Sequence, residues 1–200
     1  MARSISRIVR RLVLALIVLA VAAGAFVAFG GVDAVRRAAF PLQYEEIIAK
    51  EASATGVDPY LIAAVVHAES GFDPEAVSGA GAVGLMQVKP STARSIARIT
   101  GMSGTYSKKT LKDPETNIRV GAAYLAYLLE RYDGEVSFAL AAYNGGLSNA
   151  DVWADEAKAS GKAFQDVIAF PETASYVEKV QVQRDVYRVL YPNVFGGVSR

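Results

Sequence analysis

Apolar positions along the chain form two kinds of pattern. Some runs are apolar on every side, and others recur at helical spacing. The first run, Leu12 to Phe29, carries no charge. Its length matches the ~17–25 residues that a bilayer-spanning helix needs, and it offers no polar stripe for a soluble helix to expose. Arg3, Arg7, Arg10 and Arg11 precede it, while Arg36 and Arg37 follow it beside Asp33. That bias predicts a cytoplasmic N-terminus and export of the remainder. Ala20-Val21-Ala22 and Ala23-Gly24-Ala25 would each suit a cleavage site. The apolar run continues past the first of them, so an uncleaved anchor is preferred to a cleaved signal peptide. The expected organisation is a basic tail over 1–11, a transmembrane anchor (or signal peptide) over 12–30, a linker over 31–42, one folded domain over 43–191 and a tail over 192–200.

Beyond Pro41 the patterns are helical. Tyr44 to Ala54 places Tyr44, Ile47, Ile48 and Glu51/Ala52 at helical spacing, and Gly56 stops it. Asp58 then caps a helix with Pro59 at its first position, where a missing N–H costs nothing. Tyr60 to Ala68 is apolar nearly all round. It is too short to cross a membrane, which predicts a central core helix ended by Gly71. Ser78 to Gly84 reads as a glycine-rich passage, followed by a short extended piece at Leu85–Val88. Pro90 opens a helix closed by Gly101, and Met102–Leu111 reads as surface loop. Asp113-Pro114 repeats the cap, and Ile118, Ala122, Leu125, Leu129 and Tyr132 recur at helical spacing. Val136–Tyr143 is a further helix, broken by Gly145-Gly146. Ser148 is expected to cap another, with Asp151 completing the capping box. Pro171 opens the last, buried through Tyr176, Val177, Val180, Tyr187 and Leu190. The class is mainly α, with a small β element near Gly79–Val88.

Composition narrows the chemistry. With 21 basic and 20 acidic residues there is no broad basic field for nucleic acid. No cysteine and a single histidine exclude thiolate and multi-histidine metal sites, so neither a metal nor a cofactor is expected. Glu69 ends the apolar helix. The negative end of the helix dipole and apolar surroundings both disfavour its charged form, which would suit a general acid near neutral pH. From the residue alone, an exposed carboxylate closing a helix fits equally well. His67 points to a different face and reads as a packed, hydrogen-bonded histidine. Ser70 has no glycine elbow and no second histidine as base, so a helix-terminal hydrogen bond is its expected use. Gly81-Ala-Val-Gly84-Leu85-Met86-Gln87 lacks the ending of a phosphate loop. Met86 and Gln87 could give a sugar an apolar floor and an amide, although such residues are more often core and surface. Tyr143-Asn144 beside two glycines suits a sugar ring, and equally a helix C-cap.

Four motifs, in order and spacing, resemble the catalytic domain of lytic transglycosylases of the soluble-lytic-transglycosylase type, with the lysozyme-like fold. They are Glu69-Ser70, then Gly81-xx-Gly84-Leu85-Met86-Gln87, then Ala142-Tyr143-Asn144-x-Gly146, then Glu172-Thr173-xx-Tyr176-Val177. The likeness covers Gln43 to Tyr191. It implies a lysozyme-like, mainly α fold with minimal β structure over 43–191, preceded by the transmembrane helix. It also implies cleavage of the β-1,4 bond between N-acetylmuramic acid and N-acetylglucosamine in peptidoglycan. Glu69 would protonate the glycosidic oxygen and then, as carboxylate, take the proton from the muramic C6 hydroxyl as that oxygen attacks C1 of its own ring. Water is not the nucleophile, so no second carboxylate is needed, unlike the two-carboxylate hydrolases. By the same resemblance, Ser70, Ser78, Met86, Gln87, Tyr143, Asn144, Glu172 and Tyr176 would bind substrate, with the Tyr143 hydroxyl orienting Glu69 or the N-acetyl group. Lys89-Pro90 stands where the family more usually has Met-Pro.

The implied partners are peptidoglycan glycan strands and, through the N-terminal helix, the cell membrane, with the catalytic domain on the extracytoplasmic side. The rival readings are a lysozyme-like hydrolase of the same bond and a non-catalytic, anchored wall-binding module. A place in an envelope-spanning machinery, opening the wall locally, is a further expectation.

Overall fold

The computed structural model describes residues 2–28 and 30–196, and for 2–14 and 33 the backbone alone. The chain forms two compact units, residues 1–41 and 42–200.

The first unit holds α1 (Ala2–Ala28) and α2 (Gly31–Ala39). The expected linker over 31–42 is therefore largely helical. Gly30, left-handed at φ 75°, makes the turn between them, and the alanine-rich GVDAVRRAA continues as helix. The expected transmembrane anchor is not borne out. Its run is helical through Ala28, but among the described residues no helix is long and apolar enough to cross a membrane. The two ends of the run, 12–14 and Phe29, lie outside the residues described with side chains.

The second unit is mainly helical. It contains α3 (Glu45–Thr55), α4 (Pro59–Ser70), α5 (Pro90–Thr100), α6 (Pro114–Arg131), α7 (Val136–Gly145), α8 (Leu147–Ser160) and α9 (Pro171–Leu190). Local signals set several boundaries. The Asp58 side chain accepts the Tyr60 N–H, and the Asp113 side chain accepts the Thr116 N–H, each just ahead of a first-turn proline. Gly56, Gly71 and Gly101 close α3, α4 and α5 in the left-handed conformation. Ser148 caps nothing. Gly146 precedes α8, and Asp151 instead accepts hydrogen bonds from Arg131 and the Tyr132 hydroxyl. The expected C-terminal tail is partly core, because Phe195 is buried and packs edge-on against Tyr60 at 5.0 Å.

α4 is the centre. Every residue from Pro59 to Val66 is buried, and each large aliphatic among them contributes about 1.5–3 kcal/mol of transfer free energy. It packs on α3 and α9, while α6 packs on α3, α5 and α7. The helix is apolar all round because it has neighbours all round.

Between α4 and α5 the chain makes only isolated antiparallel bridges, Val77 with Val83 and Val83 with Val88. So few bridges cannot hold a loop alone. Asn117, wholly buried on α6, supplies the rest. Its amide nitrogen donates to the carbonyls of Val83 (2.8 Å) and Leu111 (2.6 Å), and its oxygen accepts the Met86 N–H (2.7 Å). Gly84, at φ +77°, lets the loop approach; a Cβ there would collide with Asn117 and the Leu111 carbonyl. Asn117→Ala would strand three buried backbone groups. It should destabilise the fold by about 2–4 kcal/mol in chemical denaturation, with unchanged m-value.

Candidate active site

The end of α4, the 76–89 loop and residues of α5, α6, α7 and α9 line a cleft of about 480 Å³. Glu69 lies on it. The carboxyl accepts a hydrogen bond from the Tyr176 hydroxyl at 2.7 Å. Burial is the largest influence on Glu69 and raises its pKa, against the Tyr176 hydrogen bond and the charge of Lys179, to about 7. A carboxyl in that range can both give and take a proton near neutrality. Burial, followed by the charge of Glu69, pushes the Tyr176 and Tyr143 phenols well above their ordinary value, so both remain hydroxyl donors.

The remaining expected residues divide. Ser78, Gln87, Tyr143, Asn144 and Glu172 line the cleft with Glu69. The Ser78 hydroxyl oxygen accepts the Ala82 N–H at 3.1 Å. Gln87 sits at φ 47°, and its side-chain nitrogen donates to the carbonyls of Ala76 and Gly84. These bonds hold a strained, left-handed residue in place and leave the amide oxygen as acceptor. Asn144 Oδ1 accepts the Thr173 hydroxyl at 2.8 Å, which leaves its NH₂ to donate.

Ser70 and Met86 are not among the cleft residues. The Ser70 hydroxyl lies between the carbonyls of Leu85 (2.8 Å) and Val66 (3.1 Å), tying the loop to the end of α4. Met86 is wholly buried against α6, where Gly121 makes room for its sulfur. Tyr143 does not orient Glu69 through its hydroxyl, which donates to the Met86 carbonyl at 2.7 Å. That part belongs to Tyr176, on a helix more than a hundred residues away in sequence. His67 is packed, as expected. Its Nδ1 lies 3.0 Å from the Tyr187 hydroxyl, and its ring meets those of Phe72 and Tyr187.

Tyr124 and Thr92, neither singled out in the sequence, also line the cleft, as does Lys89, noted there only as a departure from the family pattern. Tyr124 stacks, tilted, on Tyr143 with ring centroids 5.1 Å apart, forming an aromatic wall. Asn117 was missed too, although an amide and Gly121 in register on an otherwise apolar helix face were a visible signal. A second hollow, of about 530 Å³, is lined by Tyr132, Phe138 and Phe164 among others and holds none of the candidate residues. Among the described residues no group of histidine and carboxylate side chains could hold a metal ion.

Comparison with known proteins adds a family. Residues 46–165 match the family described as Transglycosylase SLT domain. The chain belongs to the SLT domain family. Over 151 residues it is 33% identical to the soluble lytic murein transglycosylase of Escherichia coli K12, covering 74% of this chain and 23% of that relative. Over 88 residues it is 51% identical to the endo-type membrane-bound lytic murein transglycosylase A of Klebsiella pneumoniae, covering 44% of this chain and 43% of the relative. Among solved structures it matches the 70 kDa soluble lytic transglycosylase of Escherichia coli with a TM-score of 0.74 and 30% identity, over 80% of this chain and 26% of that chain. The chain thus spans only 23% of the length of that curated relative from Escherichia coli K12.

Burial of Glu69 has a thermodynamic consequence. Its pKa is raised from 4.5 to about 7 on folding, so its contribution is fully present below the unfolded value and is lost as pH rises through the folded one. Glu69→Gln keeps an acceptor for Tyr176 and removes the buried charge. Its stability relative to wild type should be near zero at pH 4 and reach about 1–3 kcal/mol above pH 7, as read by denaturant titrations at both pH values.

Proposed function

We propose that the chain is a peptidoglycan lytic transglycosylase. It cleaves the β-1,4 bond between N-acetylmuramic acid and N-acetylglucosamine and leaves 1,6-anhydro-muramic ends. The observation that carries this reading is Glu69, a largely buried carboxyl with a pKa of about 7, held by Tyr176 on the cleft of about 480 Å³ in an SLT domain. The fold is read as lysozyme-like. Both the family and the similar proteins named above support the reading.

The steps follow from the groups on the cleft. A glycan strand lies along the Tyr143–Tyr124 wall, with the Asn144 amide and the Ser78 hydroxyl placed to bond its N-acetyl and hydroxyl groups. Protonated Glu69 gives its proton to the glycosidic oxygen as the C1–O bond breaks. Positive charge develops at C1, and the ionised carboxyl, still bonded to Tyr176, stabilises it. Glu69 then takes the proton of the muramic C6 hydroxyl while O6 closes on C1. One carboxyl serves both halves, and the substrate supplies its own nucleophile.

One observation favours a second reading. Glu172 is another carboxyl on the same cleft, exposed to solvent, and could activate water as in a two-carboxylate hydrolase. The wall-binding module is disfavoured by the raised pKa of Glu69, which binding alone does not require. The reading also keeps 12–30 as a membrane anchor, with the SLT domain facing the wall and open to envelope machinery. Its support is the uncharged run behind Arg10 and Arg11.

Mass spectrometry of digested cell wall tests the reaction. Wild-type protein should release anhydro-muramic ends, Glu69→Gln should lose ~10²–10⁴-fold in rate, and Glu172→Gln should stay within about tenfold with the same product. Reducing muramic ends only, with activity abolished in Glu172→Gln, would establish the hydrolase instead.

A further inference from the structure

Glu69 has a neighbour that the reaction above leaves unused. Lys179 lies on α9, one helical turn beyond Tyr176. Its Nζ is 3.4 Å from the carbonyl oxygen of Ala68, the residue before Glu69. That carbonyl belongs to the last turn of α4, where the helix dipole leaves partial negative charge and a cation is favoured. Tyr176 and Lys179 together grip the end of α4 from one face of α9.

The other groups around Glu69 differ in kind. On α4, His67 turns toward Tyr187. From α7, Tyr143 faces Glu69 as a neutral phenol whose hydroxyl is committed to the Met86 carbonyl. Glu172, from the start of α9, and Lys89, ahead of α5, lie on the same cleft. Among these, Lys179 is the cation whose charge acts on Glu69.

We propose that Lys179 is a positioning residue for Glu69, its ammonium at the end of α4 favouring the carboxylate that forms as the proton passes to the glycosidic oxygen in the first half of the reaction. The inference rests on the transglycosylase reading. There, burial alone would hold the Glu69 proton too firmly for ready transfer to the glycosidic oxygen. Lys179 moves that balance back. When the glycosidic oxygen takes the proton and C1–O breaks, the new carboxylate has a cation near its own helix end. When O6 bonds to C1, the C6 hydroxyl proton returns to the same carboxyl, and no external acid or base enters. Because Lys179 is exposed, its influence is screened by salt.

Carbon-13 NMR of glutamate-labelled full-length chain, with Glu69 assigned from Glu69→Gln, reads this directly. In about 20 mM salt, Lys179→Met should raise the Glu69 titration midpoint by about half a pH unit, and Lys179→Arg should leave it in place. The basic limb of the pH–rate profile should move by the same amount. In wild type, raising salt to about 0.5 M should move the midpoint the same way, which keeps the test decisive if Lys179→Met fails to fold. A midpoint indifferent to both Lys179→Met and salt, in a wild-type enzyme that forms anhydro ends, overturns the proposal and leaves the reaction standing. A midpoint that shifts in a wild type forming no anhydro ends supports the electrostatic effect on Glu69 and dismisses the reaction.

Discussion

The hydrogen bond from Tyr176 to Glu69 joins the two helices on which the site depends. It closes the contact between α4, the buried centre of the domain, and α9, near its end in sequence. A carboxyl this deeply placed favours its proton. A phenol that donates to it favours the charge. The first effect is the larger, and the result is a group balanced near neutrality rather than at the ordinary carboxylate range. The apolar character of α4 therefore has two consequences: it makes the core, and it prepares the acid at the helix end.

The opposite wall depends on a different device. The loop between α4 and α5 has almost no β pairing, so its shape is set by side chains reaching into it. Asn117 satisfies two of its backbone groups, the Ser70 hydroxyl meets the Leu85 carbonyl, and the Tyr143 hydroxyl meets that of Met86. Each comes from a different helix. Residues that a motif reading assigns to substrate thus build the cleft, and Met86 acts from the core through its backbone.

Much of this was legible in local chemistry. Asp58-Pro59 and Asp113-Pro114 act through neighbours two or three residues away, so their caps could be read directly. Glu69 could be singled out because an apolar helix ending in one carboxyl implies desolvation. Pairings across the chain could not be read. Nothing near Tyr176 or Tyr143 in sequence says which of them reaches Glu69, because the packing of α7 and α9 against α4 decides it. Ser148 looked like a cap because its spacing to Asp151 is right, but the helix had already begun behind Gly146, and Asp151 is held by Arg131. The segment after Gly30 looked like a linker because it is short and charged, yet its alanines suffice for a helix.

The central claim is that a buried carboxyl, tuned by one phenol, carries the proton in the reaction. The pH–rate profile of Tyr176→Phe beside wild type tests it most directly. In wild type, formation of anhydro ends should fall above about pH 7, as Glu69 loses its proton. Without the hydrogen bond that lowers its pKa, the fall should come at higher pH. A fall unmoved by Tyr176→Phe, or a wild-type rate that stays level well into alkaline pH, would contradict the account.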